Sequence, residues 1–144
     1  MDKRIIIADL DGTLSNYDHR VELYMKKDYK SFNEQGINDK PIENVCNIVR
    51  MLHDAETEIV IMTARDESHR KDTAKWLRLN DIPHDKLIMR SKEDKSPDHE
   101  CKLNLFKENF KFEDIWFILE DRSIVVDMWR SQGLTCLQVA PGDF

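Results

Sequence analysis

Five short β-branched runs recur along the chain with amphipathic stretches between them, and this alternation constrains the fold more than any other feature. The runs are Lys3 to Ala8, Glu58 to Met62, Lys86 to Met89, Ile115 to Leu119 and Leu134 to Val139. Each is almost continuously apolar instead of alternating, as expected for strands covered on both faces. Between them, Pro41 to Asp54, Ser68 to Asn80, Asp98 to Phe110 and Ser123 to Gln132 carry helical spacing. The first of these is expected to hold Pro41 in its opening turn and to line up Ile42, Val45, Ile48, Val49 and Leu52 on one stripe. Strands and helices that alternate with right-handed crossovers predict an α/β fold, a Rossmann-like three-layer sandwich around a parallel sheet of about five strands. A length of 144 residues suits one domain, 1–144, and is too short for a second full one.

Two stretches break the alternation. Residues 15–40 are polar, carry Tyr17, Tyr24, Tyr29 and Phe32, and are long for a strand-to-helix loop. An insertion at the carboxyl end of a strand is where α/β proteins place caps and binding loops, so 15–40 is predicted to be a small cap. Its rings are placed either to pack that cap or to stack on a base. Residues 91–97 are charge-rich and read as a solvated connector. The three tryptophans, on strand and helix faces, are expected in the core, and the five histidines show no ligand spacing and are expected in solvent.

With a net charge of −6, the chain does not suit coating long duplexes, which requires many Lys and Arg against phosphates. Excess carboxylate suits a divalent-cation site, whose ligands are hard oxygens. Three cysteines without CxxC spacing predict reduced core thiols, neither a disulfide framework nor a zinc site. No apolar run nears the roughly 20 residues of a membrane span, and the N-terminus lacks a signal-peptide pattern, so the expected location is cytoplasmic, with no membrane partner.

The chemistry-bearing residues sit at strand ends. Asp9-x-Asp11-Gly12-Thr13 directly follows the first buried run. An Asp-Gly turn is the plain alternative. However, a carboxylate ending a buried strand is costly without a cation or donors beside it, and a second acidic end follows at Glu120-Asp121. A third run leads into Thr63-Ala64-Arg65, a hydroxyl, backbone amides and a guanidinium suited to phosphoryl oxygens. Lys102 adds a flexible cation.

With DxDGT at Asp9 to Thr13, a Thr at Thr63, a Lys at Lys102 and an acidic pair at Glu120-Asp121, the chain resembles the haloacid dehalogenase (HAD)-like phosphatase superfamily. The segments Glu120-Asp121-Arg122-Ser123, Val126-x-Met128-Trp129-Arg130 and Gln138-Val139-Ala140-x-Gly142-Asp143-Phe144 look more specifically like the 3′-phosphatase domain of bacteriophage polynucleotide kinases. That likeness covers nearly the whole chain and weakens between residues 16 and 40. It implies a Mg²⁺-dependent phosphatase that removes a 3′-terminal phosphate from nucleic-acid ends through an aspartyl-phosphate. A small-molecule nucleotide phosphatase of the same superfamily is the alternative.

The resemblance also implies roles. Asp9 would be the nucleophile and Asp11 the general acid and base. Thr63 and Lys102 would hold the phosphoryl group. Mg²⁺ would be bound by Asp9, Asp11, Glu120 and Asp121. Thr13, Arg20, Ala64, Arg65 and Asp98 would serve the substrate, Arg20 and Arg65 by contacting it and Asp98 by orienting Lys102 or a metal-bound water. The relatives carry Asp where this chain has Glu120. No GxxxxGK[ST] loop is present, so a kinase P-loop domain is not expected within these 144 residues.

Overall fold

The computed structural model describes residues 4–144. Its strands are β1 (Ile5–Ala8), β2 (Ser15–Asn16), β3 (Lys40–Pro41), β4 (Glu58–Asp66), β5 (Lys86–Arg90), β6 (Ile115–Glu120) and β7 (Cys136–Gln138). Its α-helices are α1 (Val21–Met25), α2 (Tyr29–Glu34), α3 (Glu43–Asp54), α4 (Arg70–Leu79), α5 (Asp98–Asn109) and α6 (Ser123–Ser131). Lys3, where the first run was expected to begin, lies outside the described residues.

Five strands form one parallel sheet in the order β5-β4-β1-β6-β7, as the unbroken apolar runs require. Successive side chains of a strand point to opposite faces. Ile6 and Ala8 of β1 and Ile59 and Ile61 of β4 therefore meet Val45, Cys46 and Val49 of α3 and Trp76 and Leu77 of α4. Ile5 and Ile7, with Val60 and Met62, face Phe106 of α5 and Val125, Val126 and Trp129 of α6. Each fully buried Ile contributes roughly 1.5–3 kcal/mol, so the two faces of β1 anchor both helical layers. The chain proceeds outward from β1 to β4 and β5, then returns to β6 on β1's other side. Ligands of open α/β sheets bind at the carboxyl ends of strands flanking such a reversal, here β1 and β6.

Several boundaries differ from expectation for identifiable reasons. Pro41 is not in a helix. It pairs with Ser15 in the two-stranded β2–β3 ribbon, and α3 begins only after the Ile42 amide has bonded the Leu14 carbonyl at 2.7 Å. The buried stripe of α3 passes through Cys46, and Ile48, at its edge, is 42% exposed. β4 does not stop at Met62 but runs on to Asp66, with its pairing to β5 shifting register between Thr63 and Asp66. α4 is shorter than predicted at both ends, preceded by a 3-10 turn at Glu67–His69. The last run is strand only at Cys136–Gln138. Trp116 is not core: it is 43% exposed, with the Arg4 guanidinium 4.8 Å over its ring. The 91–97 segment is not a free connector, because Arg90 donates to the carbonyls of Asp94 at 3.2 Å and Ser96 at 2.6 Å.

Residues 15–40 fold into β2, α1, α2 and 3-10 turns at Asp18–Arg20 and Gln35–Asn38, ending at β3. Tyr24 packs edge-on against Tyr29 and tilted against Phe32, with centroids 5.5 and 5.3 Å apart. Those rings pack the insertion itself. The three cysteines are free and buried. Among the described residues, no helix is long and apolar enough to cross a membrane.

Candidate active site

Asp9 leaves β1 at its carboxyl end, where its amide still donates to the Leu119 carbonyl of β6 at 2.9 Å. The chain then turns sharply: the amides of Thr13, Leu14 and Ser15 all return to the Leu10 carbonyl. Gly12 makes this turn possible with φ +83, and a Cβ there would lie 2.1 Å from Asp121 Oδ2. Gly12→Ala is expected to lose roughly 1–2 kcal/mol from left-handed backbone alone, with further loss from that contact. Urea denaturation and turnover check this together; an unchanged midpoint with unchanged turnover would mean the loop relaxes freely.

The turn brings together three carboxylates from two strand ends. One oxygen each of Asp9, Glu120 and Asp121 fall within 4.8 Å of one another, all three residues buried. Lys102, projecting from the first half of α5, donates to Asp9 Oδ1 and to Glu120 Oε2, each at 2.7 Å. The Thr13 hydroxyl is 3.0 Å from Asp9 Oδ2. Glu120 Oε1 accepts the amides of Asp121 and Arg122 at 3.2 Å each. Both oxygens of the longer glutamate side chain are thus hydrogen-bonded, one to the backbone and the other to the ammonium.

The electrostatics follow from this crowding. Burial first, then the neighbouring Glu120, raises Asp9 well above the ordinary carboxyl range, against the pull of Lys102. Asp121 is pushed up to about 6 by the same two causes in the same order. Burial opposes the charge on Lys102, but Asp9 and Glu120 outweigh it and hold the ammonium protonated far above neutrality. With all three ionised, the carboxylates against one ammonium carry two uncompensated negative charges, the charge of one divalent cation. The hard-oxygen donor set and this deficit fit such an ion.

Asp11 stands apart from that cluster. Its carboxylate accepts from Arg65 Nε at 3.1 Å and Nη2 at 2.6 Å, and from Arg20 Nη2 at 2.5 Å. Burial works against its ionisation, yet Arg65 and then Arg20 hold it well below the usual carboxylate range. Both arginines were expected to contact substrate. The Arg20 side chain is wholly buried, and its donors go to Asp11, Asp39 and the Phe32 carbonyl. Arg65 is likewise buried and spends its donors on Asp11, Thr73 and Asp39.

Asp98 does not touch Lys102. It bridges Arg90 at 2.6 Å and Arg122 at 3.0 Å, while Lys102 is oriented by Asp9 and Glu120. Thr13 is fully buried and its hydroxyl donates to Asp9 Oδ2. The Thr63 hydroxyl oxygen accepts the Arg65 amide at 3.1 Å, which leaves its own proton for another acceptor. The Ala64 carbonyl is taken by Arg90 Nε at 2.9 Å. Tyr17 borders the site: its ring edge would lie 2.9 Å from a Cβ on Gly12, and it meets Phe32 and Phe144 edge-on.

Sequence reasoning missed Asp39, Arg90 and Arg122. Asp39 is one acid in a polar stretch, and only the folded insertion carries it to Arg20 and Arg65. His19, expected in solvent, bonds Asp39 Oδ1 at 2.6 Å.

Residues 3–144 match the family model described as the polynucleotide kinase PNKP phosphatase domain. A chain of the Pnkp1/Rnl/Hen1 complex superposes with a TM-score of 0.87 at 30% identity, over 99% of this chain and 48% of that one. A second, from the Pnkp1/Rnl/Hen1 RNA repair complex, gives 0.84 at 29% identity, over 99% of this chain and 44% of the other. This chain therefore spans a little under half the length of those two relatives. A predicted phosphatase from Clostridium acetobutylicum shares the fold, with a TM-score of 0.70 at 14% identity, over 96% and 85% of the two chains. A match over nearly every residue assigns the chain: it belongs to the polynucleotide kinase PNKP phosphatase domain family and is a phosphoric monoester hydrolase of the HAD-like fold.

Proposed function

We propose that this domain removes the 3′-terminal phosphate from nucleic-acid ends by way of a phosphoryl group carried on Asp9. The observation that carries this is the position of the Asp9 carboxylate, at the reversal of strand order with its oxygens fixed by Lys102 and Thr13. A carboxylate held this way can attack phosphorus in line. The Asp9 oxygen forms a bond to phosphorus as the bond to the sugar oxygen breaks, and Asp11 gives that oxygen its proton. Water then attacks the aspartyl-phosphate, Asp11 takes its proton, and inorganic phosphate departs.

Asp11 as it stands, ionised and paired with two arginines, has the form of the base in the second step. For the first step its side chain takes up a proton and turns from the guanidinia toward the leaving oxygen. Lys102 and the free proton of the Thr63 hydroxyl hold the phosphoryl oxygens. Asp9, Asp121 and the Asp11 backbone carbonyl, with Glu120, would hold Mg²⁺. When bound, the ion offsets the repulsion between an anionic nucleophile and an anionic substrate. The relative found in an RNA repair complex supports nucleic-acid ends as the substrate class.

The test is phosphate release from a 3′-phosphorylated oligonucleotide, a 3′-mononucleotide and an aryl phosphate, with Mg²⁺ and with chelator. The oligonucleotide is expected to give the highest kcat/KM, and chelator to remove turnover. A preference for the mononucleotide would replace the nucleic-acid end with a small nucleotide as substrate.

A further inference from the structure

Two arginines and two aspartates, all but the partly exposed Asp11 buried, close into a ring beside Asp9, and one of the four has no assigned role. Arg20 Nη2 lies 2.5 Å from both Asp11 Oδ1 and Asp39 Oδ2, while Arg20 Nε donates to Asp39 Oδ1 at 2.8 Å. Arg65 Nη2 lies 2.6 Å from Asp11 Oδ1 and 3.5 Å from Asp39 Oδ2. The Asp39 side chain and both guanidinia are buried, and the half-exposed His19 ring closes the outer side with Nε2 2.6 Å from Asp39 Oδ1. Its backbone is fixed as well, because Trp76 Nε1 donates to its carbonyl at 2.8 Å. The turn before it presses on the same group: a Cβ on Gly36 would come within 2.8 Å of Arg65 Nη2.

We propose that Asp39 is a positioning residue, which brackets Arg20 and Arg65 and thereby sets where the Asp11 carboxyl stands relative to the leaving oxygen. The reason is charge balance and geometry. Two guanidinia facing Asp11 alone would bind it more tightly and draw it toward themselves. With Asp39 on their other side, the pair is already neutralised in part, and each plane is fixed by a second carboxylate. Asp11 is then held in place without being trapped. The insertion carries both Arg20 and Asp39, so its fold is coupled to proton transfer. This inference rests on the reading of Asp11 as the proton donor.

That reading makes the expected defect selective. A nitrophenolate leaves without a proton, whereas a sugar hydroxyl does not. In single-turnover assays, Asp39→Asn is expected to release nitrophenol within about twofold of the unaltered protein. Release of the 3′-hydroxyl end from a 3′-phosphorylated oligothymidylate should slow by about tenfold or more, part of the roughly 10²–10⁴-fold that positioned proton transfer supplies. Asp11→Asn, run alongside, should show the same selectivity more strongly. An equal loss on both substrates, or no loss, for Asp39→Asn while Asp11→Asn is selective would overturn the role of Asp39 and leave that of Asp11 standing. An unselective Asp11→Asn would overturn both. If Asp39→Asn does not fold, Asp39→Glu carries the comparison, since a longer side chain in a filled space displaces the guanidinia and should produce the same selective slowing.

Discussion

Asp9→Asn is expected to abolish turnover, lowering kcat by at least about 10⁴-fold while the fold persists, because an amide cannot supply the oxygen that attacks phosphorus. The substitution is nearly isosteric. The oxygen that Thr13 bonds is retained, and the Lys102 ammonium keeps Glu120 as its partner. What changes is the charge: one of three mutually repelling buried carboxylates is gone. The variant should therefore melt at the same temperature as the unaltered protein or higher when metal is chelated. It should also lose most of the stabilisation that added Mg²⁺ gives, since binding to the native state alone raises stability in proportion to affinity. Phosphate release and a melting curve with and without Mg²⁺ report both effects on one sample. Turnover within a hundredfold of the original would remove Asp9 as nucleophile.

The framework that puts Asp9 at this point could be read from sequence because it rests on hydrophobic continuity. Ile5, Ile6 and Ile7 have to be covered on both faces, and only a central parallel strand provides that. The acidic ends of β1 and β6 could be read for the same reason, as charges following buried runs. The extension of β4 through Thr63, Ala64 and Arg65 was hidden by its polarity. Those residues stay in the strand because a register shift, the Arg90 bond to the Ala64 carbonyl and the pairing of Arg65 with Asp11 satisfy them. Propensity counts none of these interactions. Pro41 carries a strong helix-start signal, yet the Ser15 pairing holds it in an extended ribbon.

The buried partners of Arg20 and Arg65 were hidden on similar grounds. An arginine in a phosphate-handling sequence reads as a phosphate ligand, and nothing local reveals that a buried Asp39, nineteen residues after Arg20, has claimed the same guanidinium. Ion pairs between distant segments leave no periodic trace. The sequence pattern therefore reaches the residues that end strands and fails for those whose partners are brought by the insertion.

Lys102→Met should be the most damaging single change to stability in the site, at about 3–5 kcal/mol in chelator, the cost of leaving buried charges without their partner. For a domain whose total stability is about 5–15 kcal/mol, that is a large fraction. Methionine matches the lysine stem in length and apolar character, so the loss would come from the ammonium and not from a cavity. Glu120 is then stranded, its Oε2 facing Asp9 with no donor between them. The double variant Lys102→Met/Glu120→Gln should recover more than half of the lost stability, because the amide can donate toward Asp9 and one negative charge disappears. Added Mg²⁺ should also restore part of it in the single variant, with turnover still absent because no cation reaches the phosphoryl oxygens from α5. Denaturant titrations of the two variants, with and without Mg²⁺, separate these contributions. A loss below about 1 kcal/mol, with no coupling between positions 102 and 120, would mean that the carboxylates already share protons and that Lys102 is not what permits three acids to stand together at the end of this sheet.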